Sequence, residues 1–193
     1  MRPIAIRTFH WLNLIILWGL IGSGLQIYNA NPVFGGRQGW HIPNVVLLGG
    51  WLGGARNWHF TLMWFFGLNL LAYGLYILFS RRWQHYFVQQ KDLKALAQSQ
   101  NPQRRQFAWH RIVYTIAIPL LLLSLISGIS MYQPSRFYWL ARSFGSWQNL
   151  RTIHFLAVPV LISLAIVHGT IASNIGNGVL LRSMFSIKST SNS

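Results

Sequence analysis

Four stretches of this chain carry no charged side chain and are each long enough to cross the hydrocarbon core of a bilayer, about 30 Å thick: residues 11–28, 58–79, 112–132 and 152–181, the last with a surplus at its end. The composition agrees, with 52% hydrophobic and only 9% charged residues and a load of 10 Trp, 12 Phe and 7 Tyr that a soluble domain of 193 residues rarely carries. The expected fold is all-α, an integral membrane four-helix bundle with spans at about 10–30, 57–80, 109–132 and 151–176. One transmembrane domain then occupies residues 1–181, and a Ser-rich, disordered tail follows at 182–193. No short apolar region with a small-residue cleavage site precedes the first span, which therefore reads as a retained anchor.

The charges sort by side. There are 16 Lys and Arg against a single acid, Asp92, for a net charge of +15. With the N-terminus inside, eleven of these cations (Arg2, Arg7, Arg81, Arg82, Lys91, Lys94, Arg104, Arg105, Arg111, Arg182 and Lys188) are cytoplasmic, and five (Arg37, Arg56, Arg136, Arg142 and Arg151) are external. That bias places both termini in the cytoplasm; the expected location is the bacterial inner membrane. The surplus cations suit anionic lipid headgroups, so nucleic acid is not an expected partner. The chain has no cysteine, which excludes disulfides, thiolate-held iron–sulfur clusters and thioether-attached haem.

The first external loop, residues 29–57, is rich in Gly and Trp, and its apolar run at 45–48 is too short to span; it is expected to re-enter or lie on the surface over an outer site. The cytoplasmic loop, 80–110, is the most polar stretch and holds a candidate surface helix at 91–98. Pro119 and Pro159 fall inside spans, where a neighbouring helix can absorb a kink. Gly22, Gly24, Gly67, Gly74, Gly128 and Gly169 permit close helix packing or the approach of a flat cofactor.

Histidines carry the chemistry. His154 and His168 lie 14 residues apart on the last span, so they share nearly one helix face about 21 Å apart along the axis, one per leaflet. Polar side chains at such depth usually mark an ion, proton or electron path. On this topology His10 lies at the inner end of the first span and His59 at the outer end of the second. His10 with His168 can then clamp an inner haem iron and His59 with His154 an outer one, each through two neutral imidazoles. Two haem b groups bound in this way have no open iron position, which suits electron transfer rather than oxygen binding. His110 opens the third span on the inner side and competes with His10; it is otherwise assigned to hydrogen-bonding a quinone beside the inner haem. His41 and His85 fall in loops, and a zinc site is disfavoured because the histidines are divided between leaflets.

Arg7-Thr8-Phe9-His10-Trp11, Arg56-Asn57-Trp58-His59-Phe60 and Arg151-Thr152-Ile153-His154-Phe155 share the form Arg-x-x-His-aromatic. Three residues of helix bring each Arg beside its His at the water boundary, where haem propionates need cations. Arg7 would serve the inner haem, and Arg56 or Arg151 the outer. The same residues also fit the interfacial belt of any membrane protein.

With the histidines placed, most of the chain resembles the four-helix diheme cytochrome b family, the membrane subunits of Ni/Fe-hydrogenases, formate dehydrogenases and thiosulfate or molybdopterin oxidoreductases. His10-Trp11, His59 and the His154/His168 pair match its motif. The resemblance implies two b haems in the pairing above, a quinone near the inner haem and a peripheral oxidoreductase subunit of molybdopterin or hydrogenase type. Residues 49–60, Gly-Gly-Trp-Leu-Gly-Gly-Ala-Arg-Asn-Trp-His-Phe, look like members that accompany a sulfite-oxidase-like molybdenum subunit. The expected function is electron transfer between that subunit and the membrane quinone pool, with the catalytic residues on the partner. The rivals are a stand-alone cytochrome b oxidoreductase that reacts with superoxide or quinone, its positive charge drawing the anion, and a haem-free scaffold or transporter.

Overall fold

The computed structural model describes residues 3–175 and 178–185. Among them, eight α-helices follow in chain order: α1 (Ile4–Ala30), α2 (Leu52–Phe79), α3 (Trp83–Tyr86), α4 (Gln90–Gln98), α5 (Pro102–Tyr132), α6 (Tyr138–Ser143), α7 (Trp147–Asn174) and α8 (Val179–Phe185). Helices α1, α2, α5 and α7 are long and apolar enough to cross a membrane. Even α1, with 27 residues, is about 40 Å long, more than a hydrocarbon core requires. The excess lies mainly before each apolar run, in first turns that are polar in α5 and α7. Asn101 caps α5 by accepting from the Gln103 and Arg104 amides at 2.9 and 3.4 Å, with Pro102 at the first helical position. The Ser146 hydroxyl accepts from Asn149 N–H at 3.1 Å at the start of α7. Pro119 and Pro159 lie inside α5 and α7, each of which runs through as one helix.

The bundle is two antiparallel hairpins. α1 packs along α2, and α5 along α7, whereas backbone approaches between the hairpins are far fewer. One apolar layer joins all four helices: Ile16, Phe66 and Leu121 are buried, with Leu17, Leu20, Leu62, Leu70, Leu125 and Leu161 packed around them. Leu161 lies seven residues from both His154 and His168, so this layer occupies the middle of the bundle. Trp18, Ile15 and Phe79 are exposed on outward faces, where lipid takes the place of protein neighbours.

α1 begins at what is here termed the N-face, and α2 begins at the far face. The loop over the far face is pinned to α1. Asn29 clamps Ile42, its side-chain amide donating to the Ile42 carbonyl and its oxygen accepting the Ile42 amide, both at 2.8 Å. The expected surface piece at 45–48 begins in a short 3₁₀ turn, Asn44–Val46, after which Leu48 N–H donates to the Gly22 carbonyl at 3.1 Å. A Cβ on Gly22 would come within 3.2 Å of Leu48 Cβ, so the glycine admits the loop to the helix.

At the N-face, α4 covers the start of α5. Its first-turn Asp92, the only acid in the chain, is buried, accepts the Gln89 amide at 2.9 Å and pairs with Arg111 at 3.1 Å. α8 folds back on α1: Trp11 Nε1–H donates to the Met184 carbonyl at 3.3 Å, and its ring lies 4.8 Å from that of Phe185. Residues 182–185 of the segment expected as a tail therefore belong to a helix, held by this aromatic contact. Residues 186–193, with Lys188, lie outside the described residues, as does Arg2.

Candidate functional site

The histidines form two layers, one on each side of the apolar middle. Toward the far face, His59 on α2 and His154 on α7 approach across the two hairpins, with ring centres 6.2 Å apart and planes at 78°. His59 Nδ1 lies 3.1 Å from Ser23 Oγ and 3.1 Å from the Leu20 carbonyl, both on α1. His154 Nδ1 lies 2.9 Å from Ser127 Oγ on α5. Glycine follows each serine. A Cβ on Gly24 would sit 3.1 Å from His59 Cε1, and one on Gly128 3.2 Å from His154 Cε1, so both rings occupy space that any larger residue would contest. Tyr28 and Phe34 pack on Phe155 beside this layer, at 4.6 and 6.0 Å.

Toward the N-face, three histidines meet. His168 on α7 has its ring centre 6.1 Å from His10 on α1 and 4.6 Å from His110 on α5. An aromatic network borders them. Phe9 packs on Tyr73 and Tyr76, and the Tyr73 and Tyr114 hydroxyls share a hydrogen bond at 2.8 Å that links α2 to α5. Asn69, buried on α2, donates to the Phe9 carbonyl at 3.3 Å and fixes α1 at this height.

A bis-imidazole iron sets a definite spacing. With metal–nitrogen bonds of about 2.0–2.1 Å and about 1.1 Å from nitrogen to ring centre, the two ring centres stand roughly 6.3 Å apart. The His59–His154 and His10–His168 pairs, at 6.2 and 6.1 Å, fit that spacing. The engagement of Nδ1 in both far-face histidines leaves Nε2 as the nitrogen that can face a metal. Both pairs stand across the seam between the hairpins, where backbone approaches are few. The residues present therefore fit haem at both levels. Among the described residues, no three His, Cys, Asp or Glu side chains gather as a bare metal ion would need.

The arginines of the Arg-x-x-His pattern differ. Arg7 is half-buried one turn before His10, and Arg56 is exposed. Arg151 is tied down, its guanidinium donating to the Asn31 carbonyl at 2.7 Å and to Gln148 Oε1 at 3.3 Å, which joins the start of α7 to the end of α1. His41 and His85 are exposed and distant from both layers in sequence and element; His41 Nδ1 meets its own Gly39 carbonyl at 2.7 Å. The serine partners were not singled out by the sequence, since a hydroxyl in an apolar run reads as a small packing residue. The available signal was the repeat: Ser23-Gly24 and Ser127-Gly128 each stand five residues, counted from the serine, before the tyrosine near a helix end, Tyr28 and Tyr132.

Residues 2–186 match the family described as prokaryotic cytochrome b561. The chain belongs to that family. It is thus a multi-pass bacterial membrane cytochrome, and the b-type haem that the two histidine layers fit is the group the family binds. The membership bears out the resemblance drawn from His10, His59, His154 and His168. Among curated proteins, it is 31% identical over 177 residues to a putative protein-methionine-sulfoxide reductase subunit YedZ1 of Azospira oryzae, covering 86% of this chain and 87% of that one. No solved structure matches the chain.

Proposed function

We propose that the protein is a diheme cytochrome b subunit of the cytoplasmic membrane, carrying electrons between the quinone pool and a peripheral oxidoreductase on the far face. The observation that carries this is the pair of cross-hairpin histidine contacts at 6.1 and 6.2 Å, one on each side of an apolar middle layer. Haem b held by two imidazoles supplies one-electron chemistry with no vacant iron position. The chain supplies the ligands His10, His168, His59 and His154, an insulating middle and a fixed orientation. Arg7 would neutralise propionates at the inner level, and Arg56 or Arg151 those at the outer level. His110, 4.6 Å from His168, would hydrogen-bond a quinone headgroup at the edge of the inner layer.

The charge bias puts the N-face in the cytoplasm, so the Gly- and Trp-rich loop pinned to α1 faces the partner. The Azospira relative is named as a subunit of a reductase. A reductase partner, of molybdopterin type by the resemblance of residues 49–60, would draw electrons outward from quinol. The test is a reduced-minus-oxidised visible spectrum with a pyridine haemochrome count on the purified protein. Two low-spin b haems per chain are expected; one or none overturns the diheme assignment.

A further inference from the structure

The two far-face histidines are gripped by the same device twice, once in each hairpin. In α1, Ser23 Oγ donates to the Gly19 carbonyl at 2.7 Å and stands 3.1 Å from His59 Nδ1; in α5, Ser127 Oγ donates to the Leu123 carbonyl at 2.7 Å and stands 2.9 Å from His154 Nδ1. Both serines are fully buried. A hydroxyl has one proton and two acceptor lone pairs. With that proton committed to a carbonyl one turn back, the serine oxygen can only accept from the imidazole. A second acceptor enforces the same answer. The carbonyl three residues before Ser23, that of Leu20, also lies 3.1 Å from His59 Nδ1. A carbonyl cannot donate, so Nδ1 of His59 must carry the hydrogen, and the committed Ser127 hydroxyl imposes the same on His154.

From this geometry we infer that Ser23 and Ser127 are positioning residues for the outer haem. They lock His59 and His154 into the Nδ1–H tautomer, orient Nε2 toward the iron, and lend the rings electron density through a paired oxygen cradle. The inference rests on the diheme reading and deepens it. A ligand imidazole whose Nδ1–H is donated to oxygen is a stronger base toward metal, which favours the more highly charged ferric iron. The serines therefore hold the outer haem at a lower reduction potential than the histidines alone would. Glycine at 24 and 128 completes the cradle, since it leaves the ring edge next to Nδ1 unobstructed.

Potentiometric titration of both haems in the purified full chain tests this, comparing Ser23→Ala, Ser127→Ala and their combination with Ser130→Ala. Ser130 is equally buried on α5 but bonds to the Ile126 carbonyl of its own helix, so it controls for loss of a buried hydroxyl. The expected result is two haems retained in each single variant, and the same one of the two potentials raised. The change should approach tenfold in the reduced-to-oxidised ratio at fixed potential, about 59 mV for a one-electron couple. The double variant should shift further, and Ser130→Ala should leave both potentials in place. Unchanged potentials with both haems present, or serine variants that shift different haems, would overturn the inference. Should an alanine variant lose the outer haem, Ser127→Thr and Ser23→Thr keep the oxygen: recovery of haem and potential supports the cradle, and continued loss refutes it. A wild-type protein without haem would instead overturn the proposed function.

Discussion

His10 and His110 both face His168, and only one of them can share an iron with it. The ring-centre separations decide between them: 6.1 Å for His10 and 4.6 Å for His110, against roughly 6.3 Å for an imidazole–iron–imidazole axis. His110 is therefore about 1.7 Å too close to His168 for an iron to stand between them with bonds of the usual length of about 2.0–2.1 Å. Moving it outward would drag α5, which Arg111, the next residue, anchors to Asp92 at 3.1 Å. His10→Ala should accordingly remove the inner haem and lower the pyridine haemochrome count from two per chain to one, with the far-face haem untouched. His110→Ala should keep two haems and instead slow reduction by a quinol analogue. Haem content and stopped-flow reduction, measured on the same preparations, separate the outcomes. A His110→Ala protein with one haem beside a His10→Ala protein with two would refute the geometric argument and exchange the two roles.

Other outcomes follow from the same contacts. Gly128→Ala brings a Cβ within 3.2 Å of His154 Cε1 and forces the ring to yield by a few tenths of an ångström; the outer haem should be lost in part or its absorption band displaced, whereas Gly74→Ala, with nothing within 4 Å, should be silent in the same spectra. Asp92→Ala leaves Arg111 without its carboxylate and α4 without its first-turn cap. Full burial would make that cost about 3–5 kcal/mol, but Arg111 is 25% exposed, so about 1–3 kcal/mol is expected in a detergent unfolding titration, with α4 the first segment to be cut by protease. Because the chain has no native cysteine, Gln98→Cys and Gln38→Cys report topology directly: a membrane-impermeant thiol reagent applied to intact cells should label position 38 and spare position 98.

The four spans were legible because charge-free runs of that length have few other solutions; α1, α2 and α5 contain their expected runs, whereas α7 ends at Asn174, short of the expected 176. Their starts were not. α1, α2, α5 and α7 begin four to seven residues before the expected boundaries: in α5 the polar stretch from Pro102 through Gln106 carries no hydropathy signal yet extends the helix, and in α1 and α2 the added turn lies beyond Arg7 and Arg56, charges outside the charge-free runs. The histidines were legible as site candidates through side and spacing, and the structure brings His59 to His154 and His10 to His168. What spacing could not supply was lateral packing. Nothing in the sequence says that Ser23 reaches His59, 36 residues on, or that Asp92 reaches Arg111. Such contacts depend on the rotation of each helix about its own axis, which weakly amphipathic membrane helices do not display.

The division of the bundle into two hairpins bears on how the protein is made. α1 with α2, and α5 with α7, each pack as a unit and contain one complete serine–histidine grip, so each is a plausible unit of insertion into the bilayer. Between the halves, backbone approaches are few, and side chains make the join: the Ile16–Phe66–Leu121 layer, Tyr73 with Tyr114, Tyr28 with Phe155, and Arg151 with the Asn31 carbonyl. Both proposed irons are shared across that seam, because His154 and His168 belong to one hairpin and His59 and His10 to the other. Haem delivery would then be the step that closes the molecule, and cofactor supply would govern how much of the newly inserted chain escapes membrane proteolysis.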